Sequence, residues 1–271
     1  MLKVNDIIAC IREMAPEELA EPWDNCGLVI ASESMAAGRV IVCLDVTRAV
    51  MEEAIASRAQ LIVSHHPLIF NPIRRIGRDS GQDYIIRGLI RNDIALYSAH
   101  TNVDKTYGGL NDLLAGIVGV ETPDPHDSGE PLNYYRVGDL PRGYTVDEFN
   151  EHVGSRLKLN NLTVSRFAAP PVKPIRRVLV MCGSYDLDAR KVVAAGADAL
   201  LCGEIRHHEA LELTALGIHI VQAGHHGTER FFINLVIKWI NEKYPDLEIE
   251  GAGFSDIPTE IYRGANVNGD V

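Results

Sequence analysis

Histidines recur in this sequence where apolar runs end and the chain must turn. Leu61-Ile62-Val63-Ser64 is followed by His65-His66, and the next residue, Pro67, ends a strand and helps fix the turn. Ile94 to Tyr97 leads into Ser98-Ala99-His100-Thr101-Asn102-Val103-Asp104, and Ile218 to Val221 leads towards Gly224-His225-His226-Gly227-Thr228-Glu229. Imidazole with carboxylate is a borderline donor set that suits Zn, Fe, Mn, Ni or Co better than Ca or a thiolate-selected metal. His65, His66, Asp104, His225 and Glu229 are therefore expected to hold two divalent ions, with Asp104 as the carboxylate able to bridge them. So small a ligand set leaves positions for water, which distinguishes a catalytic site from a closed structural one. A bridging water with its pKa lowered towards neutrality is the expected nucleophile.

Each of these residues also has a plainer role. One of His65 and His66 could sit in the core and the other in solvent, Asp104 could cap the turn before Gly108 and Gly109, and Glu229 could favour the positive end of a helix. Their joint occurrence at strand ends favours ligation, because open parallel sheets bind ligands at the carboxyl ends of their strands. His100 is read as a hydrogen-bonding partner of the ligands. Glu204 and His208, with His207, are candidates for general acid or base or for substrate contact, and a solvated helix start is the alternative. Asp24 and Asn25 are further candidates, and the spacing assigns no role to His226. Motifs for a P-loop, a dinucleotide-binding turn and a serine-hydrolase elbow are absent.

The elements that must position these groups alternate between strand and helix. Val4, Ile7, Ile8 and Ile11 predict an amphipathic helix that stops near Pro16. Val40 to Val46, Thr47 to Ala59 and Leu61 to Pro67 read as strand, helix, strand, and short continuous apolar strands imply a parallel sheet covered on both faces. A capping box at Thr145 and Glu148 opens a later helix between strands expected at Leu132 to Val137 and Leu162 to Phe167. Arg177 to Leu211 then restates the earlier strand, helix, strand and polar pair in order, and each copy is followed by one more apolar strand. His100 to Asp104 and His225 to Glu229 share a four-residue spacing. This points to a duplication, and so to an α/β protein of two similar halves related by internal pseudo-symmetry, with the metal site in the cleft between them. The breaker-rich stretches Pro123 to Pro131 and Ala168 to Pro174 are connectors. A last long helix begins near Thr228, and the segment after Pro245 returns to the first half. The expected domains are therefore 1–124 with 230–271, and 125–229.

A net charge of −11 over 271 residues argues against nucleic acid and anionic membrane as partners and leaves a small molecule. The N-terminal residues lack a long apolar run and no later run approaches a membrane span, so residence in the cytoplasm is expected. The scattered cysteines, 5 in number, fit free thiols in a reducing compartment.

Seven ordered motifs, WDNCGLVI, CLDVT, LIVSHHPLIF, AHTNVD, GGLNDLLA, LLCGEIRHHEAL and GHHGTER, run through nearly the whole chain. Together they resemble the NIF-three family, whose bacterial members are called YbgI-like dinuclear metal centre proteins or GTP cyclohydrolase 1 type 2 homologues. The resemblance implies a two-domain α/β fold assembled as a homohexamer, a trimer of dimers forming a hollow toroid. It places metal ligands on His65, His66, Asp104, His225 and Glu229, none of them substituted. It implies the minimal form of the family, since 123–174 is too short for an additional inserted domain. The activity it suggests is ring-opening hydrolysis of a purine nucleotide such as GTP, with Glu204 as the candidate for reading the base edge. The alternative is a non-enzymatic metal-binding, metal-delivery or scaffold protein.

Overall fold

The computed structural model describes residues 2–30, 36–77, 81–124, 132–165 and 173–253. In chain order the elements are α1 (Val4–Met14), β1 (Gly27–Ile30), β2 (Arg39–Cys43), α2 (Arg48–Ser57), β3 (Leu61–Ser64), α3 (Gly81–Arg91), β4 (Ala95–Ser98), α4 (Thr101–Lys105), α5 (Leu110–Val118) and β5 (Glu121–Asp124). They continue with β6 (Arg136–Tyr144), α6 (Val146–Leu157), β7 (Thr163–Val164), β8 (Ile175–Val180), α7 (Ala189–Ala194), β9 (Ala199–Cys202), α8 (His207–Ala215), β10 (His219–Gln222), α9 (His225–Glu229), α10 (Phe231–Lys243) and β11 (Glu248–Gly251). A five-stranded sheet has the order β1-β4-β3-β2-β11 and a six-stranded sheet the order β5-β6-β8-β9-β10-β7.

Strand alternation divides the apolar residues between two environments. Val40, Val42, Leu61, Val63, Ala95 and Tyr97 face a core shared with Val178, Val180, Ala199, Leu201 and Val221 of the other sheet, filled by α1, α5, α6 and α10. Ile41, Cys43, Ile62 and Leu96 face α2 and α3, and Leu179, Leu200 and Ile220 face α7 and α8. Strands buried on both faces explain why these runs read as continuously apolar. The two mixed α/β halves are similar: β2, β3 and β4 are parallel in register Val40–Leu61–Ala95, and β8, β9 and β10 in register Val178–Ala199–His219.

Several sequence expectations shift. The strand expected at Leu132 to Val137 begins at Arg136 and runs through Pro141 to Tyr144, with an irregular register against β8 between Asp139 and Tyr144. The strand expected at Leu162 to Phe167 comprises Thr163–Val164, its last two residues lying outside the described ones. β5, on the N-terminal side of the expected crossing at 124/125, is already the outer strand of the second sheet; residues 125–131, and 168–172 of the second connector, are outside the described residues. The last helix does not begin near Thr228. A separate five-residue helix, α9, ends at Glu229, and α10 starts after Arg230. β11 pairs in parallel with β2, so the chain after Pro245 does return to the first sheet. Among the described residues no helix is long and apolar enough to cross a membrane.

Candidate metal centre

Carboxyl ends of strands from both sheets meet in one cleft. His65 and His66 follow β3, His100 follows β4 and caps α4, and His225 opens α9. The four imidazoles share one arrangement. His65 Nδ1 lies 3.0 Å from Ala99 O, His66 Nδ1 2.9 Å from Asp45 Oδ1, His100 Nδ1 2.9 Å from Asp24 Oδ1 and His225 Nδ1 2.8 Å from Glu204 Oε1. An oxygen acceptor at Nδ1 keeps the proton there and leaves Nε2 as the lone pair, the usual preparation of a metal-ligating histidine. His66 Nε2 faces His225 Nε2 at 3.2 Å. Two lone pairs at that distance repel unless a proton or a cation stands beside them.

Glu229 occupies the centre. Its Oε1 is 3.7 Å from His65 Nε2, and its Oε2 is 3.1 Å from His66 Nε2 and 3.0 Å from His225 Nε2. Asp104 Oδ1 lies 3.8 Å from His65 Nε2. His65 Nε2, Asp104 Oδ1 and Glu229 Oε2 are buried and make no well-directed hydrogen bond. Leaving buried polar atoms unmatched costs about 1–3 kcal/mol each, more when charged, and cation binding beside them would offset that cost. Donor atoms of His65, His66 and His100, and of His66, His225 and Glu229, each converge closely enough to hold an ion. The residues present therefore fit a metal centre. His100, expected beside the ligands, lies within one of these groups. The carboxylate whose oxygens face imidazoles from both groups is Glu229, where spacing had suggested Asp104.

Without a metal these groups perturb one another. Burial raises the Glu229 pKa, but the imidazoles of His225, His65 and His66 outweigh it and hold the carboxyl well below its ordinary range. Asp104 is raised, because burial outweighs the attraction of His65 and His100. Burial alone would lower His66, yet its contacts with Asp45 and Glu229 raise it to about 9, and Glu204 and Glu229 likewise raise His225 to about 10.

Buried hydrogen bonds and one ion pair fix the two sides of the cleft. Asn111, fully buried on α5, donates to Asp104 O and Tyr134 O and accepts from the Cys182 N–H at 2.8 Å. Thr228 Oγ1 accepts from the Gly183 N–H and donates to His225 O. Arg136, buried completely, pairs with Asp112 and donates to Lys105 O and Thr106 O at the end of α4. A side chain at Gly183, whose φ is +63°, would run into Glu229 and the His225 ring.

The Duf34/NIF3 (NGG1p interacting factor 3) family model matches residues 2–258. The chain belongs to this family. A relative from Clostridium perfringens, named GTP cyclohydrolase 1 type 2 homolog, is 35% identical over 236 residues, covering 84% of this chain and 87% of the relative. A Bacillus cereus protein described as related to NIF3 shares the fold with a TM-score of 0.86 at 24% identity, covering 96% of this chain and 99% of that one. Reduced HcgD from Methanocaldococcus jannaschii superposes with a TM-score of 0.76 at 32% identity, covering 93% and 98% of the two chains.

Among the residues singled out from this NIF3-family sequence, His65, His66, Asp104, His225 and Glu229 lie together, with His100 and Glu204 in contact with the group. His208 does not join them: it is exposed with His207 in the first turn of α8. The four-residue match of His100–Asp104 to His225–Glu229 is out of step by one. Ala99 N–H donates to Ser64 O as Ala223 N–H donates to Cys202 O, so His100 corresponds to Gly224, and both cap their helices. Asp45, Ser184, Asn111 and Thr228 were not singled out. Asp45 carried a signal, a carboxylate directly after an apolar strand; Ser184, which hydrogen-bonds Glu204, carried none.

Proposed function

We propose that the protein is a dinuclear, divalent-metal-dependent hydrolase acting on a small cyclic substrate, with His65, His66, Asp104, His225 and Glu229 as ligands. The observation that carries this reading is the set of four imidazoles whose Nδ1 atoms are all held by oxygen while their Nε2 atoms face one chamber beside two buried carboxylates. In this reading residues 1–124 with 230–271 form one unit, 125–229 the other, and the site lies between them. The return of β11 to the first sheet supports the discontinuous first unit, while the pairing of β5 (Glu121–Asp124) with β6 puts the crossing ahead of Glu121. When bound, the ions supply Lewis acidity. Asp45 and Glu204 hold the Nδ1 protons of His66 and His225, and Glu204, already accepting from Ser184 and His225, orients its imidazole instead of serving as a free base. Phe232 packs on His65 with ring centroids 4.7 Å apart and closes the floor of the site to water. The names of the relatives point to ring opening of the GTP cyclohydrolase type.

A second reading, metal delivery, draws on the exposure of His225: its side chain is 42% accessible, whereas that of His65 is 0%. A ligand within reach of solvent suits exchange of the ion it holds.

Elemental analysis of the untagged protein and of Asp104→Ala, with both assayed on a panel of nucleosides, nucleotides and other cyclic amides, tests the proposal. About two metals per chain in the parent, fewer in the variant and turnover lost with them is the expected result. Metal without turnover selects delivery, and absence of metal from the parent overturns both readings.

A further inference from the structure

We propose that the turn Cys182–Gly183 is a spacer between the two sets of metal ligands, with Asn111 tying it to Asp104 and Thr228 tying it to His225, so that both side chains act as positioning residues for the ions. This rests on the metal-centre reading; the hydrogen bonds that define the spacer do not.

Two consecutive backbone N–H groups follow the end of β8, and each is held by a different buried side chain. The Cys182 N–H donates to Asn111 Oδ1 at 2.8 Å and the Gly183 N–H to Thr228 Oγ1 at 3.0 Å. Asn111 and Thr228 are fully buried. Pairing loop amides in this way is ordinary, but the other ends of these two side chains reach the ligands. Asn111 Nδ2 donates to Asp104 O at 3.2 Å and to Tyr134 O at 3.0 Å, which engages both of its N–H groups. Thr228 Oγ1 donates to His225 O at 2.9 Å, and Thr228 itself precedes Glu229 in the chain. The Cys182 thiol adds a contact with Thr228 O at 3.6 Å.

The spacer has little freedom of its own. Gly183 O accepts from the Gly203 N–H at 2.7 Å, which anchors the turn to the end of β9. Gly183 adopts a φ of +63°, and a Cβ there would meet Glu229 and the His225 ring, so the backbone lies directly against the ligands. Cys182, Gly183, Asp104, His225 and Glu229 line the same cavity of about 440 Å³. The carboxylates of Asp104 and Glu229 repel each other until cations lie beside them, and a ligand constellation must hold to about 0.5 Å. An amide and a hydroxyl restrain the ligand backbones without adding a charge that would compete for the ions. Because Asn111 reaches the Asp104 side and Thr228 the His225 side, loss of either should disturb one ion position and spare the other.

Stepwise titration of the metal-free protein with Co(II), followed by visible absorption and chelator competition, tests the spacer, with amide hydrogen exchange measured by NMR on the same metal-free samples. The parent is expected to bind in two steps, and His225→Ala identifies the step that belongs to His225. Asn111→Leu should weaken the other step roughly 10–100-fold and Thr228→Val the His225 step by a similar factor, each leaving its counterpart within about twofold. Thr228→Ser, which keeps the hydroxyl, should bind as the parent does. Without metal, exchange of the Cys182 amide should quicken in Asn111→Leu and that of Gly183 in Thr228→Val, roughly two- to tenfold, the change that loss of one hydrogen bond brings. Should Asn111→Leu not fold, Asn111→Asp takes its place: it retains an acceptor for the Cys182 N–H while setting oxygen against Asp104 O and Tyr134 O, and the same step should weaken with Cys182 exchange unchanged. Both steps weakened alike, ion binding at the parent level in the variants, or Thr228→Ser behaving as Thr228→Val would overturn the spacer and leave the metal centre standing. A parent that binds no Co(II) removes the centre and the proposal with it.

Discussion

The carboxyl ends of β3 and β9 occupy the same place in the two halves, yet one presents His65 and His66 and the other Gly203 and Glu204. On the first side the imidazoles themselves enter the chamber. On the second, Glu204 stops short and accepts the Nδ1 proton of His225, while Gly203 packs so close to Gly183 that a Cβ would collide with its backbone. The two similar halves thus contribute differently: the ends of β3 and β4 bring His65, His66 and Asp104 to the group, and α9 brings the half-exposed His225 beside the buried Glu229. In the proposed dinuclear centre the two positions should consequently be unequal, an enclosed one around His65 and Asp104 and an accessible one around His225.

Removing the carboxylate common to both positions should have the largest effect. Glu229→Ala is expected to take metal content from about two per chain to near zero, measured by elemental analysis, because it deletes the oxygens facing His65, His66 and His225 together. A variant that kept one ion at full occupancy would show that Glu229 serves a single position. The pair His65→Ala and His225→Ala probes the inequality directly. His65→Ala should lose the enclosed ion and destabilise the fold by about 2–4 kcal/mol in urea, since it opens a cavity against Phe232. His225→Ala should lose only the accessible ion and leave the urea midpoint of the metal-free protein nearly unchanged. Equal losses would erase the distinction between the halves.

Acid sensitivity should differ between the site and its surroundings. His219 is buried between Asn150 Oδ1 and Ser165 Oγ, and burial lowers its pKa from 6.5 to about 4. Its folded pKa lies below its unfolded value, so the unfolded chain takes up the proton first. Stability is intact above pH 6.5 and falls as the pH drops through the window from 6.5 to about 4, by on the order of 3 kcal/mol. His219→Gln should flatten that limb of a denaturation-versus-pH curve in the metal-free protein. At the centre the sign is opposite. His66 and His225, raised to about 9 and 10 without metal, are protonated at pH 7, so ion binding must expel their protons and the apparent affinity should climb with pH up to that range. Calorimetry in buffers of different ionisation enthalpy reads the protons released.

Substitution of the proton-holding carboxylates is expected to have the smallest effect. Asp45→Asn and Glu204→Gln should each weaken metal binding roughly 10–100-fold, the first through His66 and the second through His225. Competition with a chelator would measure both, and a loss confined to one ion in Glu204→Gln would sharpen the comparison between the halves.

Much of this was legible in the sequence because apolar strands that end in histidine announce both the element and the exit of its polar group. His65, His66 and His225 were visible for that reason, and the repeat supplied the two-halved fold. Three things were not. Counting from histidine to carboxylate matched His100 with His225, whereas the strand hydrogen bonds match His100 with Gly224, and one residue of slip is invisible to a spacing rule. The break at Arg230 follows no proline or glycine, so α9 and α10 read as one helix. The groups that orient the imidazoles lie far along the chain from them, Asp45 accepting from His66 and Ser184 donating to the Glu204 that accepts from His225, so no spacing rule joins them, whereas His208 sits beside the motif but on an exposed helix turn.

The centre joins side chains from the ends of β3 and β4 to others that arrive with α9, with Asn111 bonding across to the Cys182 N–H. No short stretch of the chain can therefore assemble it early. Closing so long a loop is slow relative to forming either half. During refolding, tight ion capture should lag behind the recovery of helical circular dichroism and coincide with the final burial of Trp239, making the metal a clock for the last step of the chain's collapse.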